Sequence, residues 1–176
     1  AASLCDFPIS VNVSGIQLMR PDFSVRVRSL LDQTGLPPTA LKLELTETVL
    51  MENPEQSRMI LNRLKSMGFS LALDDFGTGY SGLGYLTKLP FDTIKIDRSL
   101  VTNQTPTGRT ILVSLLNMIN KLDMVAVAEG VDTDEVAIKL SELGCAYGQS
   151  YLFGPPITAE MAQRLLRERF PLVGQK

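Results

Sequence analysis

Histidine and tryptophan are absent from this 176-residue sequence, and cysteine occurs only twice, as Cys5 and Cys145. Without histidine, Ser-His-Asp triads, Cys-His pairs and His-ligated zinc are excluded within the chain, and two cysteines cannot complete a zinc site. Proton transfer therefore falls to Asp, Glu, Lys, Tyr or water, and any metal must be a hard cation held by oxygens. No apolar run reaches about 18 residues and no charged-then-apolar signal segment is present, so the chain reads as a cytoplasmic piece with reduced thiols, with no membrane segment of its own. A membrane attachment elsewhere in the full-length protein is compatible with that reading. The formal charge of −2 speaks against a DNA or RNA surface built on bulk positive potential. If the substrate carries phosphate, something other than net charge must attract it.

With 44% hydrophobic and 20% charged residues, the composition is that of a folded globular domain. Strand-like runs alternate with helix-like ones throughout. The runs Ile9–Ser14, Leu41–Thr46, Ser70–Asp74, Thr93–Asp97, Val125–Glu129 and Tyr147–Phe153 are short and bounded by Gly, Pro, Asn or Asp. Between them, Asn53-Pro54 reads as a helix N-cap followed by proline at the first helical position, with the helix stopping at Gly68. Thr133-Asp134-Glu135 opens another, which stops near Gly144. A third, from about Thr110 to Lys121, places Ile111, Leu115, Met118, Ile119 and Leu122 on one face for packing against a sheet.

Repeated strand-helix units with short connections predict a parallel sheet, because parallel neighbours require crossovers and the crossover helices cover the sheet. Such units can form a doubly wound open sheet or a barrel. Residues two apart in a strand share a face. That sorting sets Leu43 and Leu45 opposite Glu44, Leu71 and Leu73 opposite Asp74, and Ile94 and Ile96 opposite Lys95. A doubly wound sheet is apolar on both faces, whereas a barrel combines an aliphatic outer face with a polar upper interior. The pattern favours a barrel. The fifth strand departs from it, since Glu129 shares phase with Val125 and Val127; a position just past the strand end would escape the alternation.

In parallel strands, Asn12, Glu44, Asp74, Asp75, Lys95, Glu129 and Gln149 all fall at carboxyl-terminal strand ends and converge on one mouth. Several carboxylates sharing a pocket repel unless protonated or neutralised. Divalent cations are the economical solution, and an Asn amide oxygen with Glu and Asp oxygens is a donor set suited to magnesium or manganese. Adjacent Asp74 and Asp75 would contact two ions, one through the inward carboxylate and one through its neighbour at the bend. Two cations about 4 Å apart bind a phosphodiester, activate a water and stabilise the leaving oxygen. Lys95 and Glu129 would then orient or deprotonate the attacking water.

A competing motif lies in the same stretch. Gly77, Gly79 and Gly82 match G-x-G-x-x-G after a strand, and Asp97 lies twenty positions beyond Gly77, as in a dinucleotide fingerprint. Asp74 and Asp75, however, stand where a pyrophosphate needs neutral or positive surroundings, so the glycines read better as a tightly bending loop.

The segments Val11–Ser14, Glu44–Glu47, Asp74–Tyr80, Ile94–Asp97, Ala128–Val131 and Gly148–Phe153 together resemble the successive strand-end motifs of the EAL domain, the bacterial cyclic di-GMP phosphodiesterase family. The resemblance spans nearly the whole chain. It implies an α/β fold, a TIM-type (β/α) barrel with one antiparallel strand, and metal-dependent hydrolysis of cyclic di-GMP to linear pGpG with Mg2+ or Mn2+. By match, Asn12, Glu44 and Asp74 resemble metal ligands and Asp75 a ligand of a second metal. Lys95 and Glu129 resemble the water-handling pair, Gln149 a residue near the substrate, and Glu47 a residue steadying the loop after Asp75. A homodimer through the loop and helix after Asp75 is also implied, as is a possible attached sensor or GGDEF domain.

The Glu-Ala-Leu tripeptide that names the family is absent from these residues, Asp132 stands where the family often has Glu, and Ser150 where Gly is frequent. A complete barrel needs roughly 250 residues. Residues 1–176 are therefore expected to be the C-terminal three quarters of a single domain, with about the last six of eight strand-helix units and open sheet edges. Two other readings stand beside the phosphodiesterase: a cyclic di-GMP receptor or interaction module without catalysis, and a carboxylate-lysine barrel enzyme acting on carbon acids.

Overall fold

A computed structural model describes residues 8–78, 84 and 88–169. Cys5 and the glycine-loop positions Gly79, Tyr80, Ser81 and Gly82 lie outside the described residues, and so does most of the segment after Asp75 through which a dimer was expected. The strands are β1 (Ile9–Asn12), β2 (Leu41–Thr46), β3 (Ser70–Phe76), β4 (Thr93–Ile96), β5 (Val125–Glu129) and β6 (Tyr147–Gln149). They form one sheet in the order β1-β2-β3-β4-β5-β6, each parallel to its neighbour.

That order settles the architecture. A doubly wound sheet reverses its strand order at a switch point, which places helices on both faces. Here every crossover steps in the same direction, so right-handed connections put all the helices on one face and the sheet curls as part of a barrel. The chain is an incomplete TIM-type barrel. The antiparallel strand implied by the resemblance is not among the described strands.

The face turned to the helices is aliphatic. Leu43, Leu45, Leu71, Leu73, Ile94, Ile96, Ala126 and Ala128 are all at most 2% exposed. Each fully buried leucine or isoleucine contributes about 1.5–3 kcal/mol from removal of apolar surface from water. Against this face lie α1 (Gly15–Leu18), α2 (Phe23–Thr34), α3 (Glu47–Glu52), α4 (Pro54–Ser66), α5 (Arg98–Val101), α6 (Pro106–Lys121) and α7 (Asp134–Glu142); α8 (Ala159–Arg169) follows β6. Leu18, Leu50, Leu61, Leu64, Leu116 and Ile119 on these helices join the same core.

Helix ends follow local chemistry. The Asn53 side chain accepts from Gln56 N–H with Pro54 at the first helical position, and Thr133 accepts from Val136 N–H. Gly68, at φ +90°, ends α4 as expected. The α6 face is rotated from the expected one. Leu112, Leu115, Leu116 and Ile119 are buried while Ile111 is 47% exposed. The longer helix starts at Pro106, capped by Thr105, and its buried stripe is the one that packs on β5.

β1 stops at Asn12 rather than Ser14, β3 runs on to Phe76 and β4 stops at Ile96 rather than Asp97, and two more strands differ from expectation. In β5 the small residues Ala126 and Ala128 face the helices, while Val125, Val127 and Glu129 share the interior. The register fixes this, since Ile94 pairs with Ala126 and Lys95 with Val127. Glu129 therefore lies within the strand and obeys its alternation. The last strand ends at Gln149 rather than Phe153, because the chain bends at Ser150 and turns through residues 151–153.

Candidate active site at the carboxyl end of the sheet

Lys95 projects from β4 into the interior and meets three carboxyl groups from three other strands. Its Nζ lies 3.0 Å from Glu44 Oε2, 2.8 Å from Asp74 Oδ1 and 2.8 Å from Glu129 Oε1. The Lys95 side chain is only 7% exposed, and those of Glu44, Asp74 and Glu129 are 10%, 13% and 20% exposed. Burial works against the Lys95 charge, but hydrogen bonds to Asp74, Glu129 and Glu44 outweigh it and hold its ammonium above the ordinary lysine range. Lys95 is thus a donor at neutral pH.

The second aspartate joins the cluster through a break in β3. In a regular strand, neighbouring side chains point to opposite faces. Between Leu73 and Phe76 the pairing with β4 shifts register, and Asp75 adopts φ +54°. Such an irregularity re-aims a side chain. Carboxylate oxygens of Asp74, Asp75 and Glu129 consequently all lie within 4.8 Å of one another. Burial, then the nearby Asp74 and Asp97 charges, push the Asp75 carboxyl above the usual carboxylate range, with Lys95 opposing.

Four carboxyl groups around one ammonium leave an excess of oxygen donors over cations, which fits a hard divalent metal. Asp74, Asp75 and Glu129 are the residues placed to hold one. Asn12 ends β1 directly in register with Glu44, and Gln149 ends β6 in register with Glu129. Both amides are exposed. Glu47 begins α3 immediately after β2 and is 6% exposed, and its buried Oε2 has no hydrogen-bond partner among the described residues. It does not join the Lys95 cluster.

Beside the cluster opens a cleft of about 510 Å3, lined by Glu129, Gln149, Arg98, Tyr151 and Pro155 among others, which suits a small ligand. A smaller hollow of about 240 Å3 between α6 and α7 is lined chiefly by aliphatic side chains. The dinucleotide reading loses its support here: Asp97 caps α5 by accepting from Ser99 N–H at 2.8 Å, and the sheet has no switch point. Gly77 has its own reason, since a Cβ there would sit 2.2 Å from Leu100 Cδ1. Sequence reasoning missed Arg98, which pairs with Asp132 at 2.7 Å; only the odd placement of Asp132 hinted at it.

A parallel half-barrel with a buried lysine-carboxylate cluster at its strand ends defines a class of α/β site built for oxygen-held cations. The EAL domain model matches residues 2–156, and the chain belongs to the EAL domain family. Among curated relatives it is 39% identical over 161 residues to the cyclic di-GMP phosphodiesterase NbdA of Pseudomonas aeruginosa, covering 90% of this chain and 21% of that protein. Among solved structures it resembles the PaMucR phosphodiesterase in complex with c-di-GMP, with TM-score 0.85, 36% identity and coverage of 90% of this chain and 65% of that one. It also resembles Klebsiella pneumoniae BlrP1 in a manganese and cyclic di-GMP complex at pH 9.0, with TM-score 0.78, 34% identity and coverage of 85% and 39%. The chain spans 21–24% of the length of the first curated relatives it matches.

Proposed function

We propose that the intact protein hydrolyses cyclic di-GMP to linear pGpG, and that this chain makes up the C-terminal three quarters of the single EAL domain responsible. The observation that carries the reading is the convergence of Glu44, Asp74 and Glu129 on buried Lys95. The named relative and the two complexes with the cyclic dinucleotide support the choice of substrate.

Asn12, Glu44 and Asp74 would hold one Mg2+ or Mn2+, and Asp75, grouped with Asp74 and Glu129, would help to hold a second; the manganese in the BlrP1 complex supports this choice of ion. When bound, these ions supply Lewis-acid stabilisation of phosphate charge and lower the pKa of a bound water. Lys95, held protonated by its three carboxyl partners, positions Glu129 beside the attacking water rather than taking the water's proton. Glu129, the most exposed of its three carboxyl partners, is the acceptor beside it. Gln149 contacts the substrate in the adjoining cleft, and buried Glu47 steadies the loop after Asp75. The protein acts in the cytoplasm as a homodimer, with a sensor or GGDEF domain as a possible attachment. No helix among the described residues is long and apolar enough to cross a membrane.

The test is Mn2+-dependent release of pGpG from cyclic di-GMP by the full-length protein. Glu44→Ala and Lys95→Ala are each expected to abolish it. Undiminished release in either variant overturns the assigned roles, and tight binding of the dinucleotide without release identifies a receptor instead.

A further inference from the structure

Glu129 is the least enclosed member of the Lys95 cluster, with its side chain 20% exposed against 10% for Glu44 and 13% for Asp74. It also sits at the last position of β5, where the strand gives way to a sharp turn. Gly130, the next residue, has φ +65°, a conformation that suits glycine. Strand pairing alone therefore holds this carboxylate less firmly than its partners.

Contacts from the flanking loops supply the missing restraint. The aliphatic stem of Arg98, which follows β4, lies directly on Gly130: a Cβ at that glycine would be 2.3 Å from Arg98 Cγ. The guanidinium of the same arginine then reaches past the turn and donates to Asp132 Oδ2 at 2.7 Å. One side chain thus presses on the turn at Gly130 and tethers its far end. From the other side, Gly130 N–H donates to the Gln149 carbonyl at 3.0 Å, and Ser150 Oγ donates to the Val131 carbonyl at 2.5 Å. Asp132 and Ser150, the two positions where this chain departs from the family pattern, are both members of this brace.

We propose that Arg98 is a positioning residue for Glu129: packed on Gly130 and paired with Asp132, it fixes the turn that aims the Glu129 carboxylate at Lys95 and toward Asp74 and Asp75. Exposed ion pairs contribute little to stability. The consequence of this one is instead geometric, because supporting residues around ligating groups commonly govern affinity and turnover more than folding. The kinetic arm of the test rests on the phosphodiesterase reading; the metal-binding arm does not.

Three variants of the intact protein decide the matter. Arg98→Met keeps most of the stem and loses the charge, Asp132→Asn loses the acceptor charge, and the exchanged pair Arg98→Asp with Asp132→Arg restores the bridge in reverse. Calorimetric titration with Mn2+ alone should show affinity reduced about tenfold in each single variant. The kcat for cyclic di-GMP should fall by a similar factor with KM unchanged, and the exchanged pair should recover part of both. Arg28→Ala, which breaks an exposed pair with Asp32 on α2, should change neither. Mn2+ affinity and kcat within about twofold of the parent in both single variants overturn the proposal even if the melting temperature shifts. A parent that binds Mn2+ without hydrolysing the dinucleotide defeats the phosphodiesterase reading alone, and the Mn2+ titration still decides the role of Arg98. A parent that binds no Mn2+ overturns both.

Discussion

Glu44 and Asp74 lie two residues before the ends of the inner strands β2 and β3, whereas Asn12 and Gln149 end β1 and β6 at the two edges of the described sheet, in very different surroundings. The inner pair are buried and joined to Lys95, while every residue of β1 and β6 is exposed. An inner strand has a neighbour on each side and helices behind it, so a charged group at its end loses solvent and must find a partner. In a complete barrel further strands would flank β1 and β6, so the exposure of Asn12 and Gln149 belongs to the edges of this six-stranded sheet. The ionisable groups are concentrated where the six-stranded sheet is most buried.

The largest expected effect concerns the inner cluster. Lys95→Met leaves three carboxyl groups without their shared donor and should cost about 3–5 kcal/mol in denaturant unfolding of the intact protein. Gln149→Ala at the edge should stay within about 0.5 kcal/mol of the parent. Equal losses would break the contrast between inner and outer strands.

Core packing sharpens the same contrast without charge. Leu71→Ala on β3, a fully buried site, should destabilise by about 2–5 kcal/mol, while Ile138→Ala on α7, 59% exposed, should cost less than about 0.5 kcal/mol. A smaller effect, about 1–3 kcal/mol, is expected for Gly77→Ala, where φ is +105° and the added methyl meets Leu100. Thermal melts compared with Gly35→Ala, which has space around it at φ +70°, would separate the clash from the backbone strain.

The smallest effect is a pH dependence just after β4. Burial disfavours the Asp97 charge, but hydrogen bonds from Ser99 and from the backbone of Arg98 outweigh it and hold the carboxyl below its usual range. A depressed folded value stabilises above the unfolded value of about 3.9 and loses that contribution as pH falls through the folded one. Asp97→Asn should therefore cost about 1 kcal/mol near pH 7, with the difference from the parent narrowing below about pH 4. A difference that stays constant across that range would show that the cap acts through its geometry rather than its charge.

Much of this was legible in the residues. The bounds of β2 and β5 match the alternating runs, the caps at Asn53 and Thr133 stand where their side chains required, and the aliphatic outer face was readable from the leucines and isoleucines of β2, β3 and β4. The strand-end positions of Asn12, Glu129 and Gln149 were readable too, while Glu44, Asp74 and Lys95 lie one or two residues before the ends of their strands. The facing of β5 was not. Val125 and Val127 look like core residues and Ala126 and Ala128 do not, yet the register with β4 puts the alanines under the helices. The stripe on α6 was misplaced for a related reason, since apolar residues on more than one face leave the choice to whatever packs against them.

The sequence by itself determined the alternation of strands and helices, the caps, the absence of histidine chemistry and the set of oxygen donors, because each depends on neighbours within a few positions. Tertiary structure alone decided which groups meet. Lys95 and Glu44 are 51 positions apart and touch only because β3 lies between their strands in register. The irregularity that turns Asp75 toward Asp74 and Glu129, and the reach of Arg98 over Gly130 to Asp132, likewise arise from pairing between distant segments. Local propensity carries no information about such pairing; strand register and burial do.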